Sequence, residues 1–334
     1  MKALSLLDAG DVRITDIPEP SHTEPDILLK VEMVGLCGSD LNSFRGRNPL
    51  VSYPRVLGHE IAAIVVGGSA ALTPGTHVTV SPYTSCGQCS SCLRGRENAC
   101  RYNQTFGVQR DGAITERLSV PASKVFPSTL PLKHLCLVEP LTVGFHACAR
   151  GRVTNTDVVA VFGCGGIGLG AIAGSTFRGA RTIAIDLDDA KLETARLAGA
   201  TDLIHSGRED VRARLSELTN GNGPDVAIEA IGLPETFRMA VEEVAFTGRV
   251  VYIGYAKEPV AYETRLFVQK ELDILGSRNA LPEDFLDVMS MLEAGRFPVE
   301  EAISAIVSLE EAPSILSDWS ANPAAYTKIM IQMD

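Results

Sequence analysis

The chain has 334 residues, 45% hydrophobic and 21% charged, with a formal net charge of -11. That length accommodates two domains with proper cores, and the acidic balance excludes a nucleic-acid or anionic-membrane partner, either of which needs a concentrated basic surface. No apolar run approaches the ~20 residues of a membrane span, and the opening MKALSLLDAGDVRITD carries acids where a signal peptide would stay apolar, so a cytoplasmic location is expected.

In chain order, Lys2 to Leu7 and Val12 to Ile17 read as short strands around the turn Asp8-Ala9-Gly10-Asp11. A longer strand, Ile27 to Val34, delivers Gly35-Leu36-Cys37-Gly38-Ser39-Asp40, and Gly58-His59-Glu60 follows. A thiolate, an imidazole and a nearby carboxylate are ligand types that zinc accepts when it keeps an open position for chemistry. His59 alone would read as a hydrogen-bonded structural histidine. Cys86, Cys89, Cys92 and Cys100 then give C-x2-C-x2-C-x7-C, which suits a closed tetrahedral zinc site holding a loop without its own core. Disulfides or an iron-sulfur cluster are the competing uses. Cys136, Cys148 and Cys164 lie outside this array and read as buried small hydrophobes. Leu118 to Val125 is strand-like, and Pro140 to Arg150 has helical apolar spacing.

Val158 to Asp186 reads as strand, glycine-rich turn, helix and strand. The turn Gly163-Cys164-Gly165-Gly166-Ile167-Gly168 has the G-x-G-x-x-G spacing. Gly163 makes the tight turn, Gly165 lets the backbone approach a pyrophosphate, and Gly168 lets helix and strand pack closely. The helix opening at Gly166 and Ile167 offers free N–H groups and a positive dipole to phosphates. Thr182 to Ile185 ends at Asp186, placed to accept hydrogen bonds from a ribose diol, with no Arg or Lys in Leu187-Asp188 to receive a 2'-phosphate; NAD is expected over NADP. A helix from Asp189 to Ala198 and strands at Asp225 to Ile231, Arg249 to Gly254 and Asp273 to Leu275 follow. Ligands of doubly wound sheets sit beyond the carboxyl ends of strands, so Ile253, Gly254 and Ser277 are candidate nicotinamide neighbours. A helix at Glu283 to Ala294 and a strand at Lys328 to Ile331 close the chain.

On Cys37-Gly-Ser39-Asp40, Gly58-His59-Glu60, the four-cysteine lobe, Val138-Glu139-Pro140-Leu141, the glycine turn and Gly276-Ser277-Arg278-Asn279, in that order, the chain resembles the zinc-dependent medium-chain dehydrogenases/reductases, the branch of sorbitol, threonine and sugar-acid dehydrogenases. The resemblance covers essentially the whole length. It implies an α/β protein: a Rossmann doubly wound parallel sheet (145–280) and a mainly β GroES-like catalytic domain (1–144, with the zinc lobe at 86–100), to which 281–334 returns. It implies two zinc ions per chain and NAD, with Cys37 and His59 ligating the catalytic zinc, Glu60 and Glu139 in or next to its coordination sphere, and a homodimer or homotetramer. The acid at Glu139, where liver-type alcohol dehydrogenases carry cysteine, points to the polyol and sugar branch. Ala63 replaces a usual glycine, the loop through Gly67-Gly68-Ser69 reads as shortened, and Asn42 stands where many relatives have a proton-passing histidine. The expected reaction is oxidation of a secondary alcohol to a ketone, Ser39 accepting the hydroxyl proton.

Three stretches, Ser52 to Glu60, Phe106 to Gly112 and Gly276 to Phe285, are more similar to dehydrogenases of aldonates such as L-galactonate, L-gulonate or L-idonate than to sorbitol dehydrogenases. Arg278, with Asn279 beside it, is the candidate for a substrate carboxylate; against this, Arg55 and Arg278 read equally as partners for acids of the fold. An amino-alcohol dehydrogenase of the threonine type is the rival enzyme. A protein using NAD and zinc without turnover is the rival of another class, and it leaves the open Cys-His-carboxylate site without a purpose.

Overall fold

The computed structural model describes residues 1–67 and 72–333. The chain forms two compact units, Met1–Glu139 joined by Val299–Asp334, and Pro140–Pro298.

In the first unit the strand Asp26–Leu36 organises a seven-stranded sheet. Its inward residues Leu29 and Val31 alternate with Lys30 and Glu32, which pair with each other outside the core. It runs antiparallel to Glu60–Gly67, Arg117–Pro121 and Ile329–Gln332, the last from the far end of the chain. The register opposes Gly35 to Glu60, so the loop bearing Cys37 leaves one strand where His59 and Glu60 enter its neighbour. Gly35 has no alternative there, since a Cβ would lie 1.9 Å from Glu60 Oε2. Gly67 closes the strand Glu60–Gly67, and the loop expected to be shortened at Gly68 and Ser69 lies outside the described residues.

The single strand expected at Leu118 to Val125 is two, Arg117–Pro121 and Val125–Ser128, separated by a 3-10 turn at Ala122–Lys124. Pro121 has no N–H with which to continue the ladder.

The second unit is built on a six-stranded parallel sheet. Across the sheet the strands run Asp202–His205, Arg181–Asp186, Val158–Phe162, Val226–Glu229, Arg249–Tyr252 and Asp273–Gly276. The order therefore reverses between Val158–Phe162 and Val226–Glu229, the switch point at which such sheets bind ligands. Val159 to Phe162 are all buried, as a strand covered on both faces requires.

The domain division differs from that expected at 144/145 and 280/281. It falls at Glu139/Pro140, inside the helix Val138–Arg150, and at Pro298/Val299. The helix Pro282–Glu293 belongs to the sheet unit and not to the returning tail. Its Asp284 accepts from the Leu281 amide and lies 2.8 Å from His146 Nδ1, an anchor among buried groups.

Candidate metal and nucleotide sites

Cys37 stands at the N-terminal boundary of the short helix Gly38–Phe44. The buried carboxylate of Asp40 accepts from the Cys37 amide at 2.9 Å and from the Gly58 amide at 3.3 Å, which ties the cysteine loop to the histidine loop. The ligand atoms of Cys37, His59 and Glu60 all lie within 4.8 Å of one another. Two buried polar atoms there, His59 Nδ1 and Ser39 Oγ, have no hydrogen-bond partner. Burial opposes protonation of His59, but the charges of Asp40, Cys37 and Glu139 outweigh it and hold its pKa well above the ordinary histidine value. A soft thiolate, an imidazole and a carboxylate this close are a donor set that fits zinc.

The two acids are placed differently. Glu60 is fully buried, and both of its oxygens are held by Lys328 Nζ, at 2.5 and 2.6 Å; the same ammonium donates to Leu36 O at 3.2 Å. Glu139 is outside the trio that meets within 4.8 Å, and it accepts a hydrogen bond from the Tyr83 hydroxyl. Burial raises its pKa, with His59 pulling the other way. Lys328 and Tyr83 were not recognisable as site residues. Lys328 has a faint signal, a lysine immediately before the buried run Ile329 to Ile331, but it stands 268 positions from Glu60.

Cys86, Cys89, Cys92 and Cys100 form the second cluster. Their Sγ–Sγ distances include 3.5, 3.8 and 4.0 Å. A tetrahedron with metal–sulfur bonds of about 2.3 Å has edges of about 3.8 Å, whereas a disulfide needs about 2.05 Å. The distances therefore fit zinc and exclude disulfides. The Ser91 hydroxyl and the amides of Cys92 and Arg101 hold the Cys89 thiol down at about 5, in its thiolate form. Cys136, Cys148 and Cys164 are buried and free, as expected.

In the second unit the turn role expected of Gly163 and the packing role expected of Gly168 have direct structural grounds. Gly163 has φ +96°, a left-handed conformation that favours glycine. A Cβ on Gly168 would lie 1.8 Å from Gly163 O, so the helix Gly166–Phe177 packs on the turn only because that position is bare. A Cβ on Gly165 would meet no protein atom within 4 Å, and no side chain caps the helix, leaving its first-turn amides to a ligand. Asp186 accepts from the Cys164, Leu187 and Asp188 amides at 2.7, 2.7 and 3.1 Å, which fixes its carboxylate beside the turn.

Ile253 and Gly254 donate to Glu229 O, and Ser277 donates to Tyr252 O, so the expected nicotinamide neighbours gather at adjoining strand ends. Ser277 Oγ is buried without a partner. Arg278 is exposed, Asn279 is half-buried with φ +54°, and Arg55 pairs with Asp111 and Ser52.

Gly165→Val separates these roles. Its φ of -68° and ψ of -177° suit valine and the free chain has room for it, so thermal stability should stay near wild type while NADH binding weakens by about 1 to 3 kcal/mol, the cost of overpacking. A fluorescence titration giving the wild-type NADH affinity would show that no cofactor approaches Gly165.

A thiolate-imidazole-carboxylate cluster in one unit and a dinucleotide-type turn in the other define a metal-dependent dehydrogenase. Residues 23–131 match the alcohol dehydrogenase GroES-like domain, and residues 166–294 match the zinc-binding dehydrogenase domain. An uncharacterized zinc-type alcohol dehydrogenase-like protein of Haemophilus influenzae is 36% identical, covering 98% of each chain. L-galactonate-5-dehydrogenase of Escherichia coli is 35% identical over 85% of this chain and 84% of its own. The RspB alcohol dehydrogenase of Escherichia coli, solved with NADH, has a TM-score of 0.91 at 28% identity, covering 99% of each chain. The chain belongs to the zinc-dependent alcohol dehydrogenase family, whose members here include polyol and sugar-acid dehydrogenases.

Proposed function

We propose that this enzyme uses NAD and two zinc ions per chain to oxidise a secondary alcohol of a sugar acid, or of the corresponding polyol, to a ketone. The observation that carries this reading is the meeting of Cys37, His59 and Glu60 within 4.8 Å, with the unpartnered hydroxyl of Ser39 two residues from the thiol. When bound, zinc supplies a Lewis acid for the alcohol oxygen and NAD supplies the hydride acceptor.

Cys37 and His59 are the ligands, oriented by Asp40 through the amides on either side. Glu60, held by Lys328, and Glu139, held by Tyr83, supply the acidic surroundings. Ser39 Oγ accepts the substrate's hydroxyl proton through a hydrogen bond. The amides that follow Gly165, at Gly166 and Ile167, take the pyrophosphate, and Asp186 takes the ribose diol. Ile253, Gly254 and Ser277 flank the nicotinamide, with Arg278 and Asn279 following them. The four-cysteine cluster holds the structural zinc. Support for a sugar acid comes from the 35% identity to an L-galactonate dehydrogenase and from the stretches around His59 and Gly107.

A substrate panel of aldonates, polyols and L-threonine, each with NAD and NADP, tests the reading. Aldonate oxidation with NAD is the expected result; turnover of L-threonine alone would make it an amino-alcohol dehydrogenase. Asp186→Ala should weaken NAD by about 1.5 to 3 kcal/mol, the worth of hydrogen bonds to a charged group, and narrow its advantage over NADP. A wild type that prefers NADP contradicts the role of Asp186.

A further inference from the structure

The segment from Phe106 to Gly112 packs between the backbone that leads into His59 and the backbone at Pro82. On one side its glycines press against the backbone that leads into His59. A Cβ on Gly107 would lie 2.7 Å from Gly58 N, and one on Gly112 would lie 2.3 Å from Leu57 O. The amides of Gly112 and Ala113 donate to Val56 O and Gly58 O. On the other side the Phe106 amide donates to Pro82 O, next to Tyr83, whose hydroxyl holds Glu139. The Thr105 amide, just before the segment, donates to the Gln109 side chain, and within it Phe106 bridges to Arg110.

Arg110 is fixed by this folding. Its guanidinium carbon sits 3.7 Å from the centroid of the Phe106 ring. Its Nε is buried with no hydrogen-bond partner, and among the described residues no acid pairs with it. Burial pulls its pKa down, and no carboxylate acts to restore it. Nearby Arg55 also has an unpartnered Nε, but its two terminal nitrogens have Asp111 and Ser52 as partners. Lys328 likewise has Glu60, and Arg249 has Asp157. The ring face stabilises the cation but offers no acceptor for its N–H groups. A planar fork of donors, held in place, partly stripped of water and without a counter-charge, is preorganised for a carboxylate.

We propose that Arg110 recognises the carboxylate of an anionic substrate, and that this contact makes a sugar acid, not a neutral polyol, the preferred alcohol. The proposal rests on the dehydrogenase reading above and names the substrate class of that site. It places the charge recognition in the unit that carries Cys37 and His59, whereas Arg278 belongs to the unit of the glycine turn.

The test compares wild type, Arg110→Gln, Arg110→Lys and Arg278→Ala in the zinc-loaded enzyme with L-galactonate and with neutral galactitol. Two readouts are taken: NAD-dependent kinetics, and calorimetric binding of L-galactonate to the NADH complex. Arg110→Gln should raise KM and Kd for L-galactonate roughly 10- to 100-fold with kcat little changed, and leave galactitol unaffected. Arg110→Lys should recover part of the loss, because it restores the charge without the fork. Arg278→Ala, the rival contact, should weaken L-galactonate binding less than Arg110→Gln does.

Wild-type affinity for L-galactonate in Arg110→Gln overturns the proposal, as does equal loss of both substrates, or a loss confined to Arg278→Ala. A wild type that oxidises galactitol but neither oxidises nor binds L-galactonate overturns it while the dehydrogenase reading stands. If no alcohol is oxidised, the dehydrogenase reading falls. Calorimetry then decides Arg110 by itself: binding of L-galactonate that Arg110→Gln abolishes upholds the anion contact, and binding indifferent to the change, or none at all, overturns it.

Discussion

Cys37→Ser is expected to remove alcohol oxidation while the protein stays folded, and Cys89→Ser is expected to do the opposite damage. Wild-type protein should carry two zinc ions per chain by elemental analysis, and each variant one. Cys37 sits on a loop whose geometry is set by Asp40 and by the strand pairing of Gly35 with Glu60, none of which requires the thiol. Its loss therefore reaches only the chemistry, where a Lewis acid is worth several kcal/mol of barrier, on the order of 10³-fold or more in turnover. Cys89 is different. Between Cys86 and Cys100 the chain has only two 3-10 turns, Cys92–Arg94 and Glu97–Ala99, and few buried side chains, so the four sulfurs do the work of a core. Structural zinc is folding free energy in such a loop, and Cys89→Ser should lower soluble yield and melting temperature. A stable Cys89→Ser protein beside an unfolded Cys37→Ser one would mean that the roles are reversed.

The second large effect is expected at Lys328. Its burial lowers its pKa, yet Glu60 and Cys37 more than offset this, and it remains charged against a fully buried carboxylate. Lys328→Met leaves Glu60 without a counter-charge, and breaking a buried pair from one side costs about 3 to 5 kcal/mol. Urea unfolding should show that loss, and the double variant Lys328→Met/Glu60→Gln should recover much of it, because the pair is then removed from both sides. A single variant as stable as wild type, or a double variant no better than the single, would mean that Lys328 does not neutralise Glu60.

The strands and helices found by sequence periodicity were those with one clear signal. Val158 to Phe162 is an unbroken apolar run into a glycine turn, and the structure adds only the sheet order. The short strand Asp202–His205 and the helices Val211–Leu218 and Pro234–Glu243 carry no such signal, because charged residues dilute their apolar faces. The helix Pro282–Glu293 is legible, but its unit is not, since the link to His146 is a tertiary hydrogen bond with no local trace. At the candidate sites, Cys37, His59 and the four cysteines were legible because cysteine and histidine are rare residue types that stand here at restricted spacings. Lys328 and Tyr83 were not, because an ion-pair or hydrogen-bond partner can come from any distance along the chain.

The return of Val299 onward to the first unit also sets an order of assembly. As the chain leaves the ribosome, residues 140–298 emerge as a continuous block holding every strand of the parallel sheet. The first unit must wait for residues on the far side of that block: the edge of Asp26–Leu36 lacks Ile329–Gln332, and Glu60 lacks its lysine, until residues 328–332 are made. A chain lacking Lys328 and Ile329–Gln332 would thus have its parallel sheet and glycine turn built and an unpaired acid beside Cys37 and His59.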